Sequence, residues 1–475
     1  MAFNSIEYLS FLLIVVLAYR ILPFKIGLAL LLASSYYFYS CWNQYYLILI
    51  LASTLVDFFC AQKIEASSNK KFYLCISLLS NLGILFTFKY LGFFTEITQS
   101  IVQLLGGSLE LPSLQLLLPV GISFYTLQTM SYSIDVYQGK IKAEQHFIRF
   151  AIYVAFFPQL VAGPIERASK IIPQFFYKQI PTYEDYLSGI QLITWGIFKK
   201  VVIADRLSIY VSWAFNNPEQ MNNSTLAMAG FLANLLIYAD FSAYADIAIG
   251  SAKCLGIKLS PNFNLPMFSK NMPDFWRRWH ISLHNWFIDY VYLPSGGSRV
   301  NYLKFIVNVF LIFILSGLWH GAAWNFVLWS LFHFLLILIH IHVIKLGKAL
   351  NFTWGKSTVL VCLGIILVHI QRDLSMYLFF IPDISVSLNI YLNFFTEPWT
   401  IDRSILGPSH LAGFVLAISF TSLMLVAEAL HIRKKWDQRL KEMSVFMRWP
   451  IYYSIIFSIF IFGIETNNPF IYFQF

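Results

Sequence analysis

Charge is scarce in this chain. Asp, Glu, Lys and Arg make up 12% of its 475 residues, against 58% apolar residues and a mean hydropathy of +0.64. Soluble domains carry about 25% charged residues, so this composition excludes an ordinary soluble protein and predicts a polytopic membrane protein. Cysteine is also scarce. Cys41, Cys60, Cys75, Cys254 and Cys362 are scattered, with no CxxC pair, which excludes a thiol-redox motif and leaves them as small packing residues. There is no P-loop, no GxGxxG, no metal-ligand quartet and no repeat period. The net charge of +9 accompanies no RNA- or DNA-reading motif, so it is assigned to loops facing anionic membrane lipids, not to nucleic acid. The opening MAFNSIEYLSFLLIVVLAYR lacks a basic leader and a small-residue cleavage site and reads as a retained first span.

What the chain has in abundance is apolar helix former and aromatic ring. The 46 Phe, 27 Tyr and 13 Trp exceed what interfacial belts require, so many are expected inside a helix bundle or along a cavity. A bilayer-crossing helix needs about 20 residues, and tilt shortens the visible apolar core. Spans are expected near residues 8–18, 26–39, 45–59, 72–94, 114–130, 148–160, 190–211, 226–249, 305–318, 323–346, 359–380, 411–430 and 451–464. That gives roughly 11 to 13 crossings. Pro158, Gly163 and Pro164 break the sixth of these, as in a re-entrant turn covered by protein. Lys and Arg at 20, 25, 63, 70, 71, 140 and 142, and the loop HIRKKWDQRLKEMSVFMR after Leu430, mark the cytoplasmic side. This places the C-terminus on the outer side.

Ionisable chemistry is concentrated between Pro273 and Asn325, in PDFWRRWHISLHNWFIDYVYLPSGGSR and SGLWHGAAWN. His320 lies between apolar stretches at 305–315 and 326–340, and a polar side chain at such depth is a functional candidate by default. Gly321 and two alanines leave room beside its ring, and Trp319 and Trp324 can wall that space. A neutral imidazole there suits proton abstraction from a hydroxyl, with a buried structural histidine as the equal alternative. Arg277 and Arg278 suit an anionic handle, or equally lipid phosphate or a partner such as Asp274 or Asp289. His280 and His284 are spaced i,i+4, the spacing of one helical face, but no third metal ligand accompanies them. Asp240 and Asp246, in IYADFSAYADIAIG, must be paired, protonated or facing water. An architectural salt-bridge role, for which Arg277 or Arg278 are candidate partners, is expected, with lining of a polar path as the alternative. His333, 13 positions after His320, would be about 20 Å away along a continuous helix and is not expected to act with it. The stretch from Ser282 to Arg299 is expected to be an amphipathic helix at the cytoplasmic mouth.

The ordered set FPQLVAGPIERASKIIPQF, PVGISFYTLQTMSYSIDVYQGK, YADFSAYADIAIGSAKCLGI, NFNLPMFSKNMPDFWRRWHISLHNWFIDYVYLPSGGSR, SGLWHGAAWNFVLWS and the closing IYFQF resembles the membrane-bound O-acyltransferase (MBOAT) family. The likeness is to its bacterial branch of alginate O-acetyltransferase membrane subunits. The resemblance implies one all-α membrane domain over residues 1–475, with N-terminal helices in 1–140, a motif-bearing core in 141–346 and C-terminal helices in 347–475, around a tunnel joining the leaflets. It implies His320 as the catalytic histidine, His280 as the second conserved histidine, and Arg277, Arg278, Trp319 and Trp324 beside the donor. It further implies acetyl-CoA as cytosolic donor, no metal, an extracellular polysaccharide as acceptor, and handover to an exported or membrane-anchored acetyltransferase in a bacterial cytoplasmic membrane. Where relatives often have arginine before the aspartate, this chain has Ile288 before Asp289. A lipid or protein O-acyltransferase with a longer donor, or a non-catalytic transporter or scaffold, are the alternatives.

Overall fold

The computed structural model describes all residues except 109–116, 162, 350–356, 409, 434–435, 465–469 and 472–475. The described residues are helical throughout, with no strand among them. In chain order the α-helices are α1 (Ile6–Ile21), α2 (Phe24–Ser40), α3 (Leu47–Ala66), α4 (Lys70–Leu85), α5 (Leu91–Leu104), α6 (Ile122–Tyr137), α7 (Phe147–Ala155), α8 (Ala168–Ile171), α9 (Tyr183–Phe198) and α10 (Asp205–Asn216). They continue as α11 (Asn223–Cys254), α12 (Met272–Arg278), α13 (Ile281–Phe287), α14 (Tyr302–His320), α15 (Trp324–Ala349), α16 (Thr358–Phe380), α17 (Ile384–Thr396), α18 (His410–Arg433), α19 (Trp436–Glu442) and α20 (Val445–Phe462).

Nine helical runs among the described residues are long and apolar enough to cross a membrane. The run Lys70–Leu104 is one of them, α4 and α5 being joined through a π-helical turn at Phe86–Tyr90. α1, α2 and α6, with 16, 17 and 16 residues, are shorter than those nine. The expected span at 148–160 is not a continuous helix: α7 ends at Ala155, and turns follow before Pro164. The expected span at 114–130 begins outside the described residues, and helix starts at Ile122 after Gly121, whose φ of 75° is open to glycine.

The chain clusters into two compact units, Met1–Ile190 with Ala248–Ser260, and Gln191–Ile247 with Pro261–Phe475. In the first unit, α3, α4 and α6 enclose the carboxylate of Asp57. It accepts hydrogen bonds from Ser77 Oγ at 2.5 Å and from Asn81 Nδ2 at 2.8 and 2.9 Å. Ser53 and Thr129 hydrogen-bond Asn81 Oδ1 in turn. A carboxylate between apolar helices is tolerated only when its lone pairs are met in this way. After the Gly-Pro break of the same unit, Glu166 accepts from the backbone N–H and the hydroxyl of Ser260.

In the second unit every side chain from Leu232 to Ala245 on α11 is buried, so its polar groups need internal partners. A π-helical segment, Lys199–Ala204, supplies two of them. Lys199 Nζ lies 2.8 Å from Asp246 and 2.7 Å from Ser242, while Lys200 Nζ lies 2.8 Å from Asp240 and 2.9 Å from Asp205. Asp240 also accepts the backbone N–H of Ile471 at 2.9 Å. The counter-charges of the two aspartates are therefore lysines of the preceding span, not Arg277 or Arg278. The sequence reading overlooked Lys199 and Lys200, although a lysine pair inside the apolar stretch 190–211 is itself a signal.

Candidate active site

The site is assembled in the second unit from α12, α13, α14, α15 and α16. α14 is apolar from Val309 to Leu315 and ends at His320, because Gly321 leaves the helix with extended backbone. α15 starts at Trp324 and packs back along α14. Gly317 allows that approach: a Cβ there would stand 2.6 Å from the carbonyl oxygen of Phe326 and 2.7 Å from Ser330 Cβ. At Gly321 a Cβ would fall within the Phe326 ring. His320 therefore sits in the bend of a helical hairpin, 5% exposed, with its ring centroid 5.1 Å from those of Trp319 and Trp329 and 5.4 Å from that of Phe379.

α12 carries its own N-cap, the side chain of Asn271 accepting from the N–H of Asp274, and stops at Arg278. His280 is not on a helix. It holds φ of 44°, a left-handed conformation uncommon for a residue with a Cβ, and α13 begins after it. His280 is thus the N-cap residue of the helix that carries His284, its carbonyl accepting the His284 N–H at 3.0 Å. No group of three metal-ligating side chains occurs among the described residues.

Asn262 holds the unusual backbone at His280. Its carbonyl accepts the N–H of Ile281, and its Oδ1 accepts from the N–H and hydroxyl of Ser282. The Ser282 N–H can only donate, so Oδ1 is the amide atom on this side. His280 Nδ1, 3.2 Å from the same oxygen, consequently bears the proton, and Nε2 keeps the lone pair. Burial against Phe241 holds this imidazole neutral, pushing its pKa down to about 3, with a backbone hydrogen bond opposing the shift. The Trp319 ring lies 5.4 Å from His280 and 5.1 Å from His320, so one indole separates the two histidines.

The remaining expected residues divide. Trp319 is buried at the centre, whereas Trp324 is 54% exposed. Arg277 is exposed; Arg278 Nε donates to Asp274 at 2.9 Å and its Nη1 to the carbonyl of Asn264 at 3.3 Å. His333 is nearer than a continuous helix would place it. Its ring is 4.7 Å from Trp329, which in turn touches His320, because the chain reverses at Gly321. The stretch after His284 is helical only to Phe287, continues as a π-helical turn to Tyr292, and then turns through Arg299.

A sequence model of the membrane-bound O-acyltransferase family matches residues 108–371, more than half of the chain and all of the hairpin that holds His320. The chain belongs to the membrane-bound O-acyltransferase family. Among relatives, the peptidoglycan O-acetyltransferase of Helicobacter pylori is 34% identical over 75% of this chain and 71% of its own length. The probable alginate O-acetylase of Azotobacter vinelandii is 35% identical over 70% of this chain and 67% of its own. A teichoic acid D-alanyltransferase of Bacillus subtilis is 30% identical over 50% of this chain and 62% of its own. As an MBOAT protein the chain is a multi-pass membrane O-acyltransferase, and its all-helical fold agrees with that. Sequence reasoning missed Trp276, Trp329 and Arg372 at this site. Trp329 and His333 were detectable as an i,i+4 pair on α15, and Arg372 as an arginine inside the apolar run 359–380.

Proposed function

We propose that this O-acyltransferase moves acetyl groups from a cytosolic thioester, acetyl-CoA, across the membrane for O-acetylation of an extracellular polysaccharide. The observation that carries the reading is the burial of two histidines on either side of Trp319, His320 at the end of a membrane-spanning helix. The names of the acetyltransferase relatives support the acetyl group and a cell-surface polymer as acceptor.

In this mechanism His320 takes the proton of the attacking hydroxyl as its oxygen forms a bond to the thioester carbonyl carbon. The carbon–sulfur bond then breaks, and the departing thiolate takes the proton from the imidazolium, so that charge and protons balance. Nε2 of His280, an acceptor, holds a hydroxyl or N–H of the substrates in line. Arg277 and Arg278, together with Trp319 and Trp324, serve the donor. The chain works in a bacterial cytoplasmic membrane with its C-terminus outside, and it hands the acetyl group to an exported or membrane-anchored acetyltransferase.

The test is polymer acetylation in cells carrying correctly inserted His320→Ala, expected to fall by about 100-fold or more. Retention of wild-type transfer would remove His320 from the chemistry. A donor series of increasing acyl length separates the acetyl reading from a long-chain one. For the arginines the readout is thioester affinity: it should weaken in Arg277→Ala and Arg278→Ala and depend on salt, and an unchanged affinity without salt dependence would withdraw the donor role.

A further inference from the structure

The aromatic cluster beside His320 contains several buried donors and lacks protein acceptors for them. Arg372, on α16, is 2% exposed, yet its guanidinium carbon stacks 4.2 Å over the ring of Phe275 and 5.0 Å over that of Trp279. The hydrogen-bond acceptor it meets is a thioether, Met267 Sδ, 3.5 Å from Nη1. The carboxylate of the adjacent Asp373 is close enough for its charge to act on Arg372, but it accepts its hydrogen bond from Asn234 Nδ2, at 2.8 Å. His333 is 1% exposed, and neither of its ring nitrogens has a hydrogen-bond partner. The indole N–H groups of Trp276 and Trp329 are buried without partners as well. The rings form one group: Trp276 is 5.1 Å from His333 and 5.9 Å from Trp329, while Phe275, which carries Arg372, precedes Trp276 in the chain.

Such an arrangement is costly by itself. A buried cation over aromatic faces gains some cation–π energy, but one sulfur is a weak protein acceptor for a guanidinium. Each buried N–H left unmet costs about 1–3 kcal/mol more. The guanidinium and the two indoles can only donate, His333 offers one donor and one acceptor, and the one formal charge among them is positive. What completes the group is therefore an acceptor-rich ligand of one negative charge.

We propose that Arg372, His333, Trp276 and Trp329 form a buried receptor for a single oxyanion, phosphoryl or carboxylate, one indole away from His320. Guanidinium and the two indoles supply directional donors, and the guanidinium charge disfavours cations. This receptor stands apart from the role given to His320 above, and the two fail separately.

The test uses the full chain in nanodiscs and follows thermal unfolding with four probes: 4′-phosphopantetheine, pantetheine, inorganic phosphate and sodium acetate. Wild type is expected to be stabilised by a phosphoryl or a carboxylate probe, the responding probe identifying which oxyanion the site takes, while pantetheine leaves the transition in place. Arg372→Met should weaken the response by about tenfold or more in probe concentration, and without probe it should unfold near the wild-type temperature, since the desolvation cost of a buried charge is gone. His333→Phe should weaken the same response, which keeps the test decisive if Arg372→Met does not fold. His320→Ala should keep the response even when acetyl transfer is lost. A wild-type transition unmoved by all oxyanion probes, or one moved equally in Arg372→Met or His333→Phe, would overturn the receptor.

Discussion

At residue scale, the two histidines of the site differ in what fixes them. His320 is placed by a helix ending against a packed hairpin, whereas His280 is placed by the amide and carbonyl of Asn262. His280 is neutral because it is buried, and this makes stability depend on pH with a definite sign. Its folded pKa lies below the ordinary value of about 6.5, so the unfolded chain takes up the proton first as pH falls. The stabilising contribution is complete above about pH 6.5 and is lost at roughly 1.4 kcal/mol per pH unit below it. His280→Gln should flatten the dependence of the unfolding midpoint on pH between 6.5 and 4.5. An unaltered slope in that variant would mean that the titrating group lies elsewhere. The buried His284, also held below its ordinary pKa by burial and by the Arg277 charge, adds to the same slope and remains in the variant.

At the scale of elements, the hairpin of α14 and α15 does the positioning. Gly317 and Gly321 are the points where the two helices, and then a helix and a phenyl ring, come too close for a Cβ. Gly317→Ala would force the Phe326 carbonyl and Ser330 away. The expected cost is about 1–3 kcal/mol of stability. Because a displacement of about 1 Å at the reacting group is enough to lose 10²-fold in rate, acyl transfer should fall by at least about tenfold. Transfer assays on membranes holding equal amounts of inserted protein check this. Wild-type transfer in Gly317→Ala would show that the hairpin tolerates separation. The WHG motif of the sequence was legible as a helix end with room beside a histidine. Separate spans at 305–318 and 323–346 already implied a reversal; that Gly317 and Gly321 let the two helices close tightly, with Trp329 between His320 and His333, was not legible, since spacing along a line does not give the distance between helices.

At the scale of the molecule, thirteen apolar runs gave an expectation of roughly 11 to 13 crossings, and the nine membrane-length helices among the described residues all fall on such runs, because every backbone group in lipid must be paired within its own segment. The proposed direction of insertion, with the C-terminus outside, rests on lysine and arginine in short loops. A Ser444→Cys probe between α19 and α20, in a cysteine-free background of intact cells, should resist a membrane-impermeant maleimide and react after permeabilisation. Labelling in intact cells would invert the orientation. The C-terminal residues 472–475 lie outside the described residues, while Phe470 and Ile471 are buried, with Phe470 stacked 4.2 Å from Tyr244.

By itself the sequence determined that this chain is a helical membrane protein and an O-acyltransferase of its family, and that polar chemistry gathers between Pro273 and Asn325. Composition, apolar run length and ordered motifs are properties of the linear chain, and the bilayer leaves few ways to satisfy them. The tertiary structure decided which charges meet. Asp240 and Asp246 found Lys200 and Lys199 rather than the arginines, His280 left the helix that its spacing to His284 suggested, and Arg372 came to lie over Phe275 and Trp279. Pairings of that kind depend on where helices cross and reverse, and residues far apart in sequence settle them by competing for the same few partners in an apolar interior.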